Sequence, residues 1–172
     1  MFKKFYPTDY VESSYIIDYK KLYDSGIRGI IFDIDNTLVP HGQPATPEAE
    51  ELFNKIRNIG LDTCLISNNK EPRVKPFAAA VGSKYVFDAH KPSRTNYIKA
   101  MELMKTDINS TYFVGDQLFT DVYGANRTGI PSILVKPIHP KEEIQIVLKR
   151  KLEKIVLFFY AREKRKNDGR KN

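Results

Sequence analysis

Short apolar runs punctuate the chain at Ile30 to Phe32, Leu61 to Ile66, Tyr85 to Phe87, Tyr112 to Val114 and Ile133 to Val135. Each is closed by polar or turn-forming residues, so each reads as a buried strand. The segments between them carry a helical period. Asp18 caps a short helix that passes Leu22 and Tyr23 and ends at Gly26. Thr46-Pro47 starts a second, with proline at the first helical position. In it Leu52, Phe53, Ile56 and Ile59 recur, and Gly60 stops it. Further helices are expected over Val74 to Val81, from Ser93 with Tyr97, Met101 and Met104 on one face, and from Phe119 to Arg127. Pro137 to Pro140 reads as a linker into a long helix from Lys141. Residues 1–17 are aromatic and irregular, without a period. Strands alternating with helices of this length imply an α/β fold, a parallel sheet covered by helices on both faces. No internal repeat is present.

The unusual polar residues fall at the strand ends. Asp33 and Asp35 follow the first strand. Their i, i+2 spacing puts both carboxylates on one side of the chain, at the edge where open α/β sheets bind ligands. Ser67, with Asn68 and Asn69, follows the second strand. Lys91 comes just after the third, and Asp116 ends the fourth, with Asp121 five residues later. In a parallel sheet these ends share one edge. Adjacent carboxylates repel and are costly to desolvate, and a bound cation resolves the repulsion.

That set suits phosphoryl transfer. Asp33 is the candidate nucleophile and Asp35 the acid and base that protonates the leaving alcohol and then activates water. Mg²⁺ prefers hard oxygen ligands, and Asp33, Asp35 and Asp116 are its candidate ligands. Ser67, Asn68 and Lys91 are placed to bind phosphate, Lys91 as a fixed positive charge. Thr37 and Asp121 support the set, Asp121 through Lys91 or a metal-bound water. His41, His90 and His139 have no metal-ligand spacing and read as loop residues.

Asp33-Ile34-Asp35-Asn36-Thr37-Leu38, Ser67-Asn68-Asn69, Lys91-Pro92 and Gly115-Asp116-Gln117-Leu118-Phe119-Thr120-Asp121 resemble, in order and spacing, the four motifs of the haloacid dehalogenase (HAD) superfamily. The resemblance spans roughly residues 28 to 136 and implies a Rossmann-like fold, Mg²⁺ dependence, a nucleophile at the first Asp and a phosphatase rather than a dehalogenase from the second. More narrowly, the Phe-Tyr-Pro opening, Asp-Asn-Thr-Leu-Val after the nucleophile and the basic C-terminal helix resemble the YqeG-like group of HAD subfamily IIIA. Mitochondrial phosphatidylglycerophosphate phosphatases are a related branch. The expected organisation is an N-terminal segment, 1–27, packed on a phosphatase core, 28–136, followed by a linker, an amphipathic basic helix and a basic tail, 137–172. Thr37 to Ser67 and Ser67 to Lys91 are too short to hold a separate cap domain, so the site should be open. An open site suits a large substrate, such as a lipid phosphate of the phosphatidylglycerophosphate kind, or belongs to an oligomer closing over a small one.

Composition bears mainly on the tail. The apolar fraction is 41% and the net charge +7. Residues 149–172 hold ten Lys/Arg against three Asp/Glu, and residues 1–148 hold 18 of each sign. The basic excess is therefore local. Cys64 alone excludes an internal disulfide and fits a reduced, cytoplasmic setting. The N-terminus turns polar too early for a signal peptide, and no apolar run approaches a membrane span. Ile144, Leu148, Leu152, Ile155 and Phe159 form a stripe, with Lys149, Arg150, Lys151 and Lys154 interleaved. This is the pattern of a helix lying on the inner face of an anionic membrane across residues 141–166, or of one packed on the core or on a twin helix. Residues 162–171 read as a disordered basic end. The rivals to a lipid phosphatase are a phosphatase of small soluble esters or nucleotides, and an inactive HAD-like module binding RNA, ribosome or membrane through its tail. Nucleic acid is the less favoured partner, because no stacking platform accompanies the basic run beyond Phe158-Phe159-Tyr160.

Overall fold

The computed structural model describes residues 2–139 and 144–168. Six parallel strands form one sheet: β1 (Asp9–Val11), β2 (Gly29–Phe32), β3 (Asp62–Ile66), β4 (Lys84–Val86), β5 (Thr111–Gly115) and β6 (Ser132–Val135), in the order β1-β6-β5-β2-β3-β4. β2 is central, and every residue of it is buried, as the apolar run requires when both faces are covered. The helices are α1 (Tyr19–Asp24), α2 (Pro47–Ile59), α3 (Glu71–Val81), α4 (Arg94–Met104), α5 (Tyr123–Thr128) and α6 (Ile144–Asp168).

Local chemistry explains the boundaries. Asp18 Oδ1 accepts the Lys21 N–H at 2.9 Å and caps α1. Thr46 caps α2 by accepting from the Ala49 N–H at 3.2 Å, and Pro47 opens that helix. One layer of core forms where Phe32, Phe53, Ile56 and Phe77 meet. The other forms on the opposite face, where Ile31, Tyr97, Met101 and Phe113 meet. No cap domain is inserted: the chain from Thr37 to Ser67 holds a loop, α2 and β3, and that from Ser67 to Lys91 holds α3 and β4.

The chain winds outward from β2 through β3 to β4, then crosses back to β5 on the other side. The strand order therefore reverses between β2 and β5, the switch point at which α/β sheets form a crevice. Phe32 lies opposite Val114 and Leu65. That register sets Asp33, Ser67 and Asp116 at neighbouring levels of one edge.

Three parts differ from the sequence reading. Residues 1–17 are not irregular throughout, because Asp9–Val11 adds β1 to the sheet edge beside β6. The helix expected from Phe119 begins as a π-helical turn, Leu118–Val122, and only then becomes α5. The basic end expected to be disordered is helical through Asp168, although residues 169–172 lie outside the described residues. So does the expected start of the last helix at Lys141.

In α6 the described residues of the apolar stripe are largely exposed. Leu152, Ile155 and Phe159 are 52%, 51% and 41% exposed, whereas Val156, one position round, is buried against Leu118, Val122 and Leu134. The Ile144 and Leu148 side chains lie outside the described residues. Among the described residues no helix is long and apolar enough to cross a membrane.

Candidate active site

The turn after β2 positions the first group of residues. Asp33 donates its N–H to Val114 O at 2.9 Å, continuing the sheet for one residue. Asn36 then adopts a left-handed conformation, φ 63°, and its N–H meets Val39 O at 2.7 Å. Asparagine tolerates that region better than most residues. The tight loop turns Thr37 back over the sheet edge, with its hydroxyl 3.3 Å from both Asp33 Oδ2 and Asp116 Oδ1.

Asp33, Asp116 and Asp121 are buried, and one carboxylate oxygen of each lies within 4.8 Å of the others. Lys91 links two of them, with Nζ 2.6 Å from Asp33 Oδ1 and 2.7 Å from Asp121 Oδ1. Asp121 reaches inward because the π-helical turn follows Asp116 directly. Its Oδ2 accepts the Gln117 N–H at 3.0 Å. Gly115 makes room: a Cβ there would stand 2.5 Å from Asp121 Oδ2. Arg150, from α6, pairs with Asp116 Oδ2.

Electrostatics follow from burial. Desolvation, with Asp121 and Asp35 adding to it against the pull of Lys91, raises Asp33 to about 6. Burial, with Asp33 and Asp121, raises Asp116 well above the carboxylate range, opposed by Arg150. Burial works against charge on Lys91, but Asp121 and Asp33 outweigh it and raise that amine. Three carboxylates thus face two cations. The deficit of positive charge and the all-oxygen donor set fit a hard divalent cation.

Asp35 takes a different direction. Its Oδ1 accepts from Arg73 Nη2 at 2.9 Å and from the Gly42 N–H at 2.8 Å, and its Oδ2 accepts from Asn69 Nδ2 at 2.7 Å. Its side chain is thus not part of the acidic triad, whose third member is Asp121. Ser67 is buried and its Oγ accepts the Asn69 N–H at 3.1 Å. Asn68 points its Oδ1 at the Lys91 N–H, 2.8 Å away, and so ties the loop after β3 to the lysine. His90 is exposed and lies 3.7 Å from Asp88.

A cleft of about 250 Å³ opens over this edge, lined in part by Asp33, Asp35, Ser67, Asn68 and Lys91. Its rim includes His41 and Lys149, neither anticipated from sequence. Arg73 was missed as well. The only signal for it was a basic residue at the start of α3, just after Ser67-Asn68-Asn69. Lys149 and Arg150 were read only as part of the basic run interleaved with the apolar stripe, and no pattern in the run distinguishes them.

Comparison with known proteins bears on this geometry. The family model described as "HAD-hyrolase-like" matches residues 88–137, which carry Lys91, Asp116 and Asp121. The "Probable phosphatase YqeG" of Bacillus subtilis is 36% identical over 159 residues, 91% of this chain and 92% of that protein. "Phosphatidylglycerophosphate phosphatase 1, chloroplastic/mitochondrial" of Arabidopsis thaliana is 28% identical over 86% of this chain, which spans 45% of that longer protein. Among solved structures, the cobalt-bound deoxy-D-mannose-octulosonate 8-phosphate phosphatase of Haemophilus influenzae superposes with a TM-score of 0.52 at 14% identity. The match covers 82% of this chain and 92% of that one. The hypothetical protein XCC2798 of Xanthomonas campestris gives 0.53 at 17% identity, covering 74% and 71%.

A Rossmann-like sheet with carboxylates gathered at its switch point, matched nearly end to end by a relative named a probable phosphatase, defines a hydrolase of phosphate esters. The chain belongs to the haloacid dehalogenase superfamily, and within it to the phosphatases related to YqeG.

Proposed function

We propose that the protein is a Mg²⁺-dependent phosphomonoesterase that works through an aspartyl-phosphate on Asp33, and that its substrate is a lipid phosphate such as phosphatidylglycerophosphate. The observation that carries the reading is the buried triad of Asp33, Asp116 and Asp121, with Lys91 bonded to the nucleophile. Asp33 and Asp116 would hold the cation, and Asp121 would reach it directly or through water. When bound, the cation offsets the repulsion between carboxylate and phosphate dianion.

Lys91 and the Ser67 hydroxyl hold phosphate oxygens. An Asp33 oxygen attacks phosphorus, and the bond to the leaving alcohol oxygen breaks as that oxygen takes a proton from Asp35. A water then attacks the phosphorus of the acyl phosphate and gives its proton to Asp35. The Asp33 carboxylate is regenerated and inorganic phosphate leaves. Asp35 is held by Arg73, Asn69 and the Gly42 N–H, which orients its carboxylate for the base half of the cycle. In the acid half Asp35 turns from Arg73 towards the leaving oxygen.

The lipid substrate is supported by the open cleft, by the name of the Arabidopsis relative and by α6. Leu152, Ile155, Phe158 and Phe159 are exposed on that helix, flanked by exposed Lys151, Lys154, Arg162 and Arg165. An apolar strip with basic edges suits an anionic bilayer on the inner face of a membrane, each cation near the surface contributing about 1 kcal/mol. The test is phosphate release from phosphatidylglycerophosphate in anionic vesicles, from sugar phosphates and from nucleotides. Asp33→Asn serves as the inactive control. Faster turnover of the lipid, and its loss with Ile155→Glu/Phe158→Glu while soluble turnover persists, supports the reading. Preference for soluble esters replaces the lipid with a small metabolite. Tail-dependent binding without any turnover would make the protein a binding module.

A further inference from the structure

Arg150 is among the residues that the chemistry above leaves unused. Its guanidinium makes two contacts with Asp116. Nη1 donates to the main-chain oxygen at 2.5 Å, and Nη2 pairs with Oδ2. The other carboxylate oxygen, Oδ1, faces Thr37 and through it Asp33. Asp116 is thus divided, with one oxygen directed at the acidic triad and one held from behind. A planar fork that grips a residue by backbone and side chain fixes orientation, which a lysine cannot do with a single nitrogen.

Arg150 is held in turn. Its Nη1 lies 2.9 Å from Glu153 Oε2. Glu153 Oε1 accepts the Leu118 N–H at 2.8 Å, at the first residue of the turn that carries Asp121. Glu153 is buried and the Arg150 side chain is only 17% exposed. Burying such a pair contributes little net stability, because desolvation cancels most of the attraction. Its geometry ties two of the three triad carboxylates, Asp116 and Asp121, to one helix.

We propose that Arg150, braced by Glu153, is a positioning residue for the divalent-cation site, which it serves by fixing Asp116 with Oδ1 towards the ion. This rests on the metal-dependent reading above. The rival arrangement is that the guanidinium neutralises Asp116 and competes with the ion. The two make opposite predictions, since outer-layer partners of metal ligands are worth about 10–100-fold in affinity.

The experiment is calorimetric titration of Mg²⁺ into metal-free protein, repeated with Mn²⁺ followed by electron paramagnetic resonance. Arg150→Gln is expected to weaken both ions about 10–100-fold, with Arg150→Lys recovering part of the loss. Hydrolysis of p-nitrophenyl phosphate by Arg150→Gln should return at saturating Mg²⁺ with KM unchanged. A role confined to holding the fold would lower activity at every metal concentration and leave the dissociation constant alone. Unchanged or tighter binding overturns the proposal. Should Arg150→Gln not fold, Glu153→Gln carries the same prediction in smaller measure, because it keeps an acceptor for the Leu118 N–H and removes the charge bracing Arg150. Binding is read without substrate. A protein whose Mg²⁺ affinity shifts as expected but which hydrolyses no ester therefore overturns the phosphatase reading and leaves this one standing.

Discussion

Replacing Lys91 by methionine removes the cation that bridges Asp33 and Asp121. The lysine side chain is 5% exposed and its contacts are 2.6 and 2.7 Å. At an effective dielectric of about 20, each pair at that distance has a gross attraction of about 6 kcal/mol. Removing one partner of a buried pair costs about 3–5 kcal/mol net. Asp33 limits the loss. Its pKa is already about 6, so at pH 7 its protonation costs only about 1.4 kcal/mol, and the variant protonates Asp33 rather than burying it charged. Asp121 keeps the Gln117 N–H. The expected loss is therefore near the low end, about 3 kcal/mol at pH 7, or about 6–12 °C in melting temperature for a chain of this size. The pH dependence has a definite sign. A carboxyl whose folded pKa lies above its unfolded value of about 3.9 binds its proton more tightly in the folded state. It therefore favours folding at low pH, and that contribution is lost as pH rises from about 4 through about 6. Without Lys91 the slope steepens and extends to higher pH. The assay is thermal and urea unfolding in chelator at pH 5 and 7.5, with Asp121→Asn and the double variant completing a cycle. A loss under about 1 kcal/mol at pH 7.5, with no steeper pH dependence, would refute the reasoning.

Other outcomes follow from single contacts. Gly115→Ala places a methyl 2.5 Å from Asp121 Oδ2 and 2.7 Å from Phe113 Cε1, so overpacking should cost about 1–3 kcal/mol and weaken metal binding by displacing Asp121, both measurable on one purified variant. Lys149→Glu reverses a charge on the cleft rim without touching the core. It should raise KM for phosphate esters and leave the melting temperature within about 2 °C, since isolated surface changes stay within about ±0.5 kcal/mol. Metal affinity, read by calorimetry between pH 5 and 8, should fall as pH drops through about 6, because a protonated Asp33 cannot ligate and burial has raised its pKa to that value, and Asp116, also raised by burial, extends the dependence to higher pH.

The sheet, and the gathering of most candidate site residues at its edge, were legible because the signals are local. Apolar runs that end in Asp, Ser or Lys announce both a strand and the edge at which its polar terminus emerges. What could not be read depended on tertiary partners. β1 is three residues, Asp9-Tyr10-Val11, with only Val11 aliphatic, and it is a strand because β6 offers an open edge. α6 presents apolar residues on two faces. A periodicity argument chooses Leu152, Ile155 and Phe159, but the packed face contains Arg150 and Glu153, which such an argument assigns to solvent. They turn inward because Asp116 and the Leu118 N–H need partners. The divergence of Asp35 from Asp33 has a similar origin. Their i, i+2 spacing fits a strand, but the chain leaves the strand at Phe32 and Asn36 turns left-handed, so Asp35 meets Asn69 and Arg73 instead of the triad.

The central claim concerns the bond formed at Asp33. Protein incubated with a phosphomonoester and Mg²⁺, quenched during turnover and reduced with borohydride, would convert an aspartyl-phosphate to homoserine, which peptide mass spectrometry locates. The account predicts the modification at residue 33 alone, dependent on Mg²⁺, and neither modification nor phosphate release from Asp33→Asn. Phosphate release that survives Asp33→Asn, or a phosphorylated residue elsewhere, would contradict it.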